Sequence, residues 1–188
     1  MATKNQDDML KSLAVALVSQ PRATLAEVAQ LIGVSKATLY RFCPTREELL
    51  ARVMTHTVDV HVRITKECVD SPLPTLEAFK QMVSRHMDER EFTSFASYYW
   101  NELHESVQAS MAGWDECQES LDAFFLRGQR EGVFRIDVPT SAFCDYFYYG
   151  LASLTDSERR GRLARQGMLD VALKLLLTGM QEPATPAT

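Results

Sequence analysis

The chain has 188 residues, 46% of them hydrophobic, and a formal net charge of −5 at pH 7. The apolar share supports a packed globule, and the acidic balance excludes a protein that coats nucleic acid through bulk charge. The charge is uneven: residues 1–50 hold six Lys/Arg against five Asp/Glu and the remainder fourteen against twenty, so only the amino-terminal part suits a polyanion.

Apolar spacing predicts a first helix over residues 8–19, with Leu10, Leu13, Ala14, Leu17 and Val18 inward. The next start signal is Thr24, three residues before Glu27, the spacing of a reciprocal capping box. The helix it opens carries Leu25, Val28, Ala29 and Ile32 on one face. Gly33 breaks the pattern, Val34 can turn inward, and Ser35 can cap a further helix. In that helix Leu39 and Phe42 can join the buried side, while Lys36, Ala37, Thr38, Tyr40 and Arg41 face outward. Two short helices hinged at a glycine form a helix-turn-helix pattern. The outward set suits DNA: Lys36 and Arg41 can neutralise phosphates or reach guanine edges, the hydroxyls of Ser35, Thr38 and Tyr40 can donate to phosphate oxygens, and Ala37 allows close approach to bases. An ordinary two-helix corner inside a small all-α enzyme shares much of this spacing.

Residues 26–50, from Ala-Glu-Val-Ala-Gln-Leu-Ile-Gly-Val-Ser through Pro-Thr-Arg-Glu-Glu-Leu-Leu, closely resemble the amino-terminal domain of the TetR/AcrR family of bacterial repressors, and the likeness extends over about residues 10–54. The resemblance implies an all-α protein in which a three-helix DNA-binding domain precedes a larger helical domain for ligand binding and dimerisation. It implies backbone contacts by Thr24, Ser35, Lys36, Thr38, Tyr40 and Arg46, with Ala37 and Arg41 nearer the bases and Phe42 at a position that often meets the backbone. Thr45 with Glu48 reads as a second capping box at the start of the fourth helix. The segment leading into the first helix has only Lys4 and Lys11 for basic residues, which gives little support to a minor-groove arm.

The fourth helix is expected over residues 45–69, ending before Ser71-Pro72-Leu73-Pro74. Further helices are expected over residues 75–90 and 91–103, then a long one ending at Gly128 to Gly132 and a connector through Val133-Phe134-Arg135-Ile136-Asp137. The last two, over 139–154 and 161–179, carry Phe143, Phe147 and Leu151 on one face and Leu169, Leu173 and Leu176 on another. Such a pair permits an internal core; the resemblance implies a homodimer interface, which would set two reading heads about 34 Å or somewhat more apart on a palindromic operator. The division expected is a DNA-binding domain over 1–50, a ligand-binding and dimerisation domain over 51–182, and a disordered tail over 183–188.

Aromatics concentrate between residues 98 and 149, interleaved with acids. Tyr98, Tyr99, Trp100, Glu102, Trp114, Glu119, Phe125, Tyr146 and Tyr149 form the candidate ligand set, with Tyr148 among the same rings. Rings beside carboxylates suit lipophilic cations, and the favoured alternative is rings in a core with acids on a solvated face. His56, His61, His86 and His104 match no zinc motif, and no phosphate-binding loop or nucleophile elbow is present, so neither a metal, a cofactor nor catalysis is expected. Cys43, Cys68, Cys117 and Cys144 show no disulfide spacing, and no signal peptide or membrane span is recognisable, so a reduced cytoplasmic setting without membrane contact is expected, with packing as the role of the thiols. The function expected is a ligand-responsive DNA-binding transcriptional regulator, a repressor released by a small lipophilic molecule in efflux or detoxification control. A non-DNA-binding helical adaptor and a small all-α enzyme are the alternatives.

Overall fold

The computed structural model describes residues 2–103 and 108–182, with side chains over 6–103 and 113–182. Among these residues the regular structure is α1 (Ala2–Ser19), α2 (Leu25–Leu31), α3 (Lys36–Phe42), α4 (Arg46–Val69), α5 (Thr75–Asp88), α6 (Arg90–Leu103), α7 (Gln108–Arg130), α8 (Thr140–Arg159) and α9 (Met168–Met180), with one isolated antiparallel bridge between Phe134 and Gln181. The side chain of Lys4, His104 and the tail over 183–188 lie outside the described residues. The last two helices differ from expectation in their ends. Helix α8 runs on to Arg159, and α9 begins only after Gly167, whose φ of 82° is a left-handed turn that a helix cannot cross.

The residues pack as two compact units. The first comprises Met1–Val60 with Arg90–Ala112, the second His61–Glu89 with Gly113–Thr188. The packing therefore does not divide at residue 50. Helix α6 joins the amino-terminal helices, and the border falls inside α4.

In the first unit α1 packs chiefly against α6 and also against α2. Its Leu10, Leu13, Ala14, Leu17 and Val18 are all buried, as their spacing predicts. The α2–α3 pair is shaped by its caps. Thr24 Oγ1 accepts the Glu27 N–H while the Glu27 carboxylate accepts the Thr24 N–H, which completes the box. At the other end of α2 the Val34 N–H donates to the Ala29 carbonyl and the Gly33 N–H to the Gln30 carbonyl, with Gly33 at φ 73°. This is a Schellman stop, and its left-handed residue explains the glycine, because nothing in space crowds that position. Leu39 from α3 is then fully buried with Val28, Ala29, Leu49 and Val53, a contribution of about 2 kcal/mol for a leucine taken from water.

In the second unit α5 packs against α8 and α9, and α8 against α9. Its centre is a phenylalanine cluster: Phe79 of α5, Phe125 of α7, Phe134 of the connector and Phe143 and Phe147 of α8 are buried, with ring centroids 5.3–6.1 Å apart in the contacting pairs. The Val133 and Phe134 N–H groups both donate to the Gly128 carbonyl, which folds the connector back over α7. Gly128 is required by this return, since a Cβ there would stand 2.2 Å from Phe134 Cδ2 and 3.1 Å from Thr75 Cγ2.

Candidate nucleic-acid interface and ligand site

The surface of α3 opposite Leu39 is open. Lys36, Ala37, Tyr40 and Arg41 are exposed, Tyr40 at 47%, and Thr38 is half-buried. Ser35 Oγ accepts the Thr38 N–H at 3.1 Å and shares a 2.8 Å hydrogen bond with the Thr38 hydroxyl, so one hydroxyl proton of this pair stays inside the cap and the other can reach a phosphate. Phe42 is half-buried, and its ring does not serve as a polar contact. The Arg52 guanidinium of α4 lies 3.9 Å from the ring centroid and donates to the Phe42 carbonyl at 3.0 Å. Stacking and hydrogen bond together hold a cation beside the end of α3. Sequence reading missed Arg52, because nothing in a ten-residue separation across a turn announces the pairing.

Two of the carried-over contacts are placed differently. Arg46 is half-buried, with its guanidinium turned inward onto the Pro21 carbonyl at 2.6 Å, the Ala23 carbonyl at 3.2 Å and the Tyr99 hydroxyl at 3.4 Å. Tyr99 in turn donates to the Leu17 carbonyl at 3.1 Å. Arg46 therefore ties α4 to the α1–α2 link and to α6, with three of its five N–H donors spent on the protein. Thr24 donates its single hydroxyl proton to Glu27 Oε2 at 2.8 Å, which leaves no proton for a phosphate.

The candidate ligand set divides between the two units. Tyr98, Tyr99, Trp100 and Glu102 belong to the first unit and the other five residues to the second. Tyr99 is buried and engaged by Arg46 and Leu17, Tyr98 is 50% exposed, and Glu102 is exposed. In the second unit Phe125 is enclosed in the phenylalanine cluster, Tyr146 donates to the Leu175 carbonyl at 3.0 Å, Tyr149 is 70% exposed and Glu119 faces solvent. The acids thus form a solvated face and supply no buried counter-charge.

What the second unit does enclose is a polar aromatic group. His61 of α4 and His86 of α5 are buried, with ring centroids 5.2 Å apart. Tyr148 of α8 lies 5.9 Å from His86, and half-buried Trp114 of α7 lies 4.8 Å from Tyr148. The Tyr148 and Thr65 hydroxyls share a 3.1 Å hydrogen bond, and Cys117 Sγ is 3.9 Å from the same phenol. Burial lowers His61 to about 3, helped by the nearby His86, and lowers His86 to about 4. Both rings are neutral at physiological pH. Burial likewise raises the Tyr148 phenol and the thiols of Cys43, Cys68, Cys117 and Cys144, so the buried thiols pack as thiols. One signal for this group was present in the chain: His86 continues the apolar stripe Phe79, Met82, Val83, Met87 at helical spacing.

The residues expected at a dimer face divide as well. Phe143, Phe147, Leu151 and Leu176 are at most 2% exposed, because α8 and α9 turn them into the core of their own chain. Leu169 and Leu173 are half-buried, and the large apolar side chains of α8 and α9 that stand exposed include Tyr146, Tyr149 and Leu175.

No family model matches the chain. Among curated proteins it is similar to the HTH-type transcriptional regulator NfxB of Pseudomonas aeruginosa, 38% identical over 180 residues, 96% of each chain. Among solved structures it resembles LfrR of Mycobacterium smegmatis, a TetR-like regulator in complex with proflavine, with a TM-score of 0.72, 19% identity and coverage of 95% of this chain and 97% of the other. It also resembles the TetR family regulator PfmR of Thermus thermophilus, with a TM-score of 0.69, 21% identity and coverage of 91% and 97%. An all-α fold shared with TetR family regulators, a capped helix-turn-helix with an open second helix, and a relative 38% identical over 96% of its length have one reading: the chain belongs to the family of HTH-type transcriptional regulators that includes NfxB.

Proposed function

We propose that the chain is a cytoplasmic repressor that binds a palindromic operator as a homodimer and leaves it when a small lipophilic aromatic molecule enters its second unit, in control of efflux or detoxification. The observation that carries the DNA-binding part is the face of α3, where Lys36, Ala37, Tyr40 and Arg41 are exposed on a helix whose opposite side is held by Leu39. Lys36 and Arg52 meet phosphates, Tyr40 donates to one, and Ala37 and Arg41 face bases. The proflavine complex of LfrR supports an aromatic ligand here. The outer apolar atoms of Tyr146, Tyr149 and Leu175 support a second copy against α8 and α9.

A ligand acts only through a difference in affinity between the DNA-competent and DNA-incompetent states, and α4, which contributes to both units, is the element suited to carry that difference. The test is an electrophoretic shift with DNA from beside the protein's own gene. A shift that weakens with salt, weakens again in Lys36→Ala and Tyr40→Ala, and spans two half-sites in a footprint is the expected result. Absence of binding to any fragment of the source genome at low salt refutes the proposal.

A further inference from the structure

His86 donates its Nδ1–H to the Met82 carbonyl at 2.9 Å, one turn back along α5. That bond fixes the tautomer and leaves Nε2 as an acceptor on the side of the ring away from that carbonyl. Nε2 is buried and has no hydrogen-bond partner, in a residue with 0% exposure. A buried acceptor without a donor costs about 1–3 kcal/mol, an imbalance that a ligand with a donor removes.

The chemistry around Nε2 restricts what the ligand can be. The rings of His61, Phe147 and Tyr148 have centroids 5.1–5.9 Å from that of His86, and Trp114 extends the stack beyond Tyr148. None of these side chains is a carboxylate. On the adjoining helices Glu67 is paired with Arg85 and Glu116 with Lys66, both pairs lying toward solvent. A cation placed among these rings would give up its hydration with no buried counter-charge, and aromatic faces return only about 0.5–2 kcal/mol of that cost. Flat rings with one acceptor instead suit an uncharged planar molecule.

We infer that the His61–His86–Tyr148–Trp114 cluster receives an uncharged, flat aromatic ligand that donates an N–H or O–H to His86 Nε2. The inference rests on the ligand-responsive reading and assigns its ligand class, which differs from the cationic class that aromatic and acidic composition suggested.

Three probes of similar outline decide it in calorimetric titrations of the full chain: acridone, which is neutral with a ring N–H; N-methylacridone, which lacks the donor; and cationic proflavine. Acridone is expected to bind about tenfold more tightly than N-methylacridone, the difference one buried hydrogen bond makes. The ratio is expected to fall to about one in His86→Phe, which keeps the ring and removes the acceptor; a steric effect of the methyl group would persist there. The comparison on the unaltered chain stands even if the variant does not fold. Equal affinities for the two acridones, binding of proflavine alone, or binding of none of the three overturns the inference. The same samples are tested for an operator shift without ligand. An intact shift with equal acridone affinities removes only the ligand assignment, and no shift at all removes the regulator reading beneath it.

Discussion

Replacing Arg46 by methionine separates a structural tie from a phosphate contact. In the structure the guanidinium donates to the Pro21 and Ala23 carbonyls at 2.6 and 3.2 Å and lies 3.4 Å from the Tyr99 hydroxyl. A hydrogen bond with one charged partner contributes about 1.5–3 kcal/mol. The side chain is only half-buried, so the shorter two bonds together are worth about 2–4 kcal/mol after solvent screening. For a chain of this length each kcal/mol moves the melting midpoint by about 2–4 °C, which gives a fall of about 5–15 °C. Arg46→Lys recovers little of it, because an ammonium cannot hold two carbonyls in a fork. Differential scanning calorimetry measures the midpoint. An operator titration over a range of salt, run well below the transition, measures the number of phosphate contacts, and the slope of log K against log salt is expected to stay at the parent value. An unchanged midpoint with a slope smaller by about 0.9 would refute this account and restore Arg46 to the DNA surface.

Arg52→Ala is expected to lower the same salt slope by about 0.9, as Lys36→Ala does, while leaving the melting midpoint within about 2 °C; a parent-like slope would remove Arg52 from the interface. Gly128→Ala and Gly113→Ala sit in one helix and are expected to move stability in opposite directions. The first drives a methyl to 2.2 Å from the Phe134 ring and costs about 1–3 kcal/mol, whereas the second meets nothing within 4 Å and gains about 0.5–1 kcal/mol. Urea unfolding of both variants checks the pair, and a stabilised Gly128→Ala would mean the connector packs elsewhere. Stability is also expected to depend on pH through His61 and His86. Their folded pKa values, about 3 and about 4, lie below the unfolded value of 6.5. The unfolded chain therefore takes up protons first as pH falls, so stability is full above 6.5 and declines below it by about 1.4 kcal/mol per pH unit for each ring, down toward pH 4. Urea midpoints between pH 7.5 and 4.5 measure this. In His86→Phe the decline is expected to be about half as steep, and equal slopes in both proteins would count against a neutral buried His86.

Local signals in the chain carried most of the fold. The Thr24–Glu27 box, the stop at Gly33 and the Ser35 cap each involve residues within a few positions, where spacing and chemistry coincide, and all three take the expected form. Long-range choices were less legible. Phe143, Phe147, Leu151 and Leu176 look alike whether a helix face meets its own chain or another, since burial and pairing demand the same side chains. Arg46 reads as a surface cation until the Pro21 and Ala23 carbonyls come within reach. Aromatic residues crowd one stretch of sequence, yet Phe125 and Tyr149 stand at opposite extremes of exposure because Phe125 lies on the inward face of α7 and Tyr149 on the outward face of α8. His86 was readable from its apolar stripe, but its orphaned nitrogen depends on which rings surround it.

The partnership between α1 and α6 bears on how regulators of this kind can be recombined. The leucines on the inner side of α1 are covered in part by a helix that the chain reaches only after residue 90. A chimera that grafts residues 1–50 onto a foreign sensor would strip that cover and expose a greasy seam, inviting aggregation before any operator is read. Swapping specificity is safer done by exchanging the outward side chains of α3 within the intact chain, or by transplanting the leading helices together with their late-arriving counterpart.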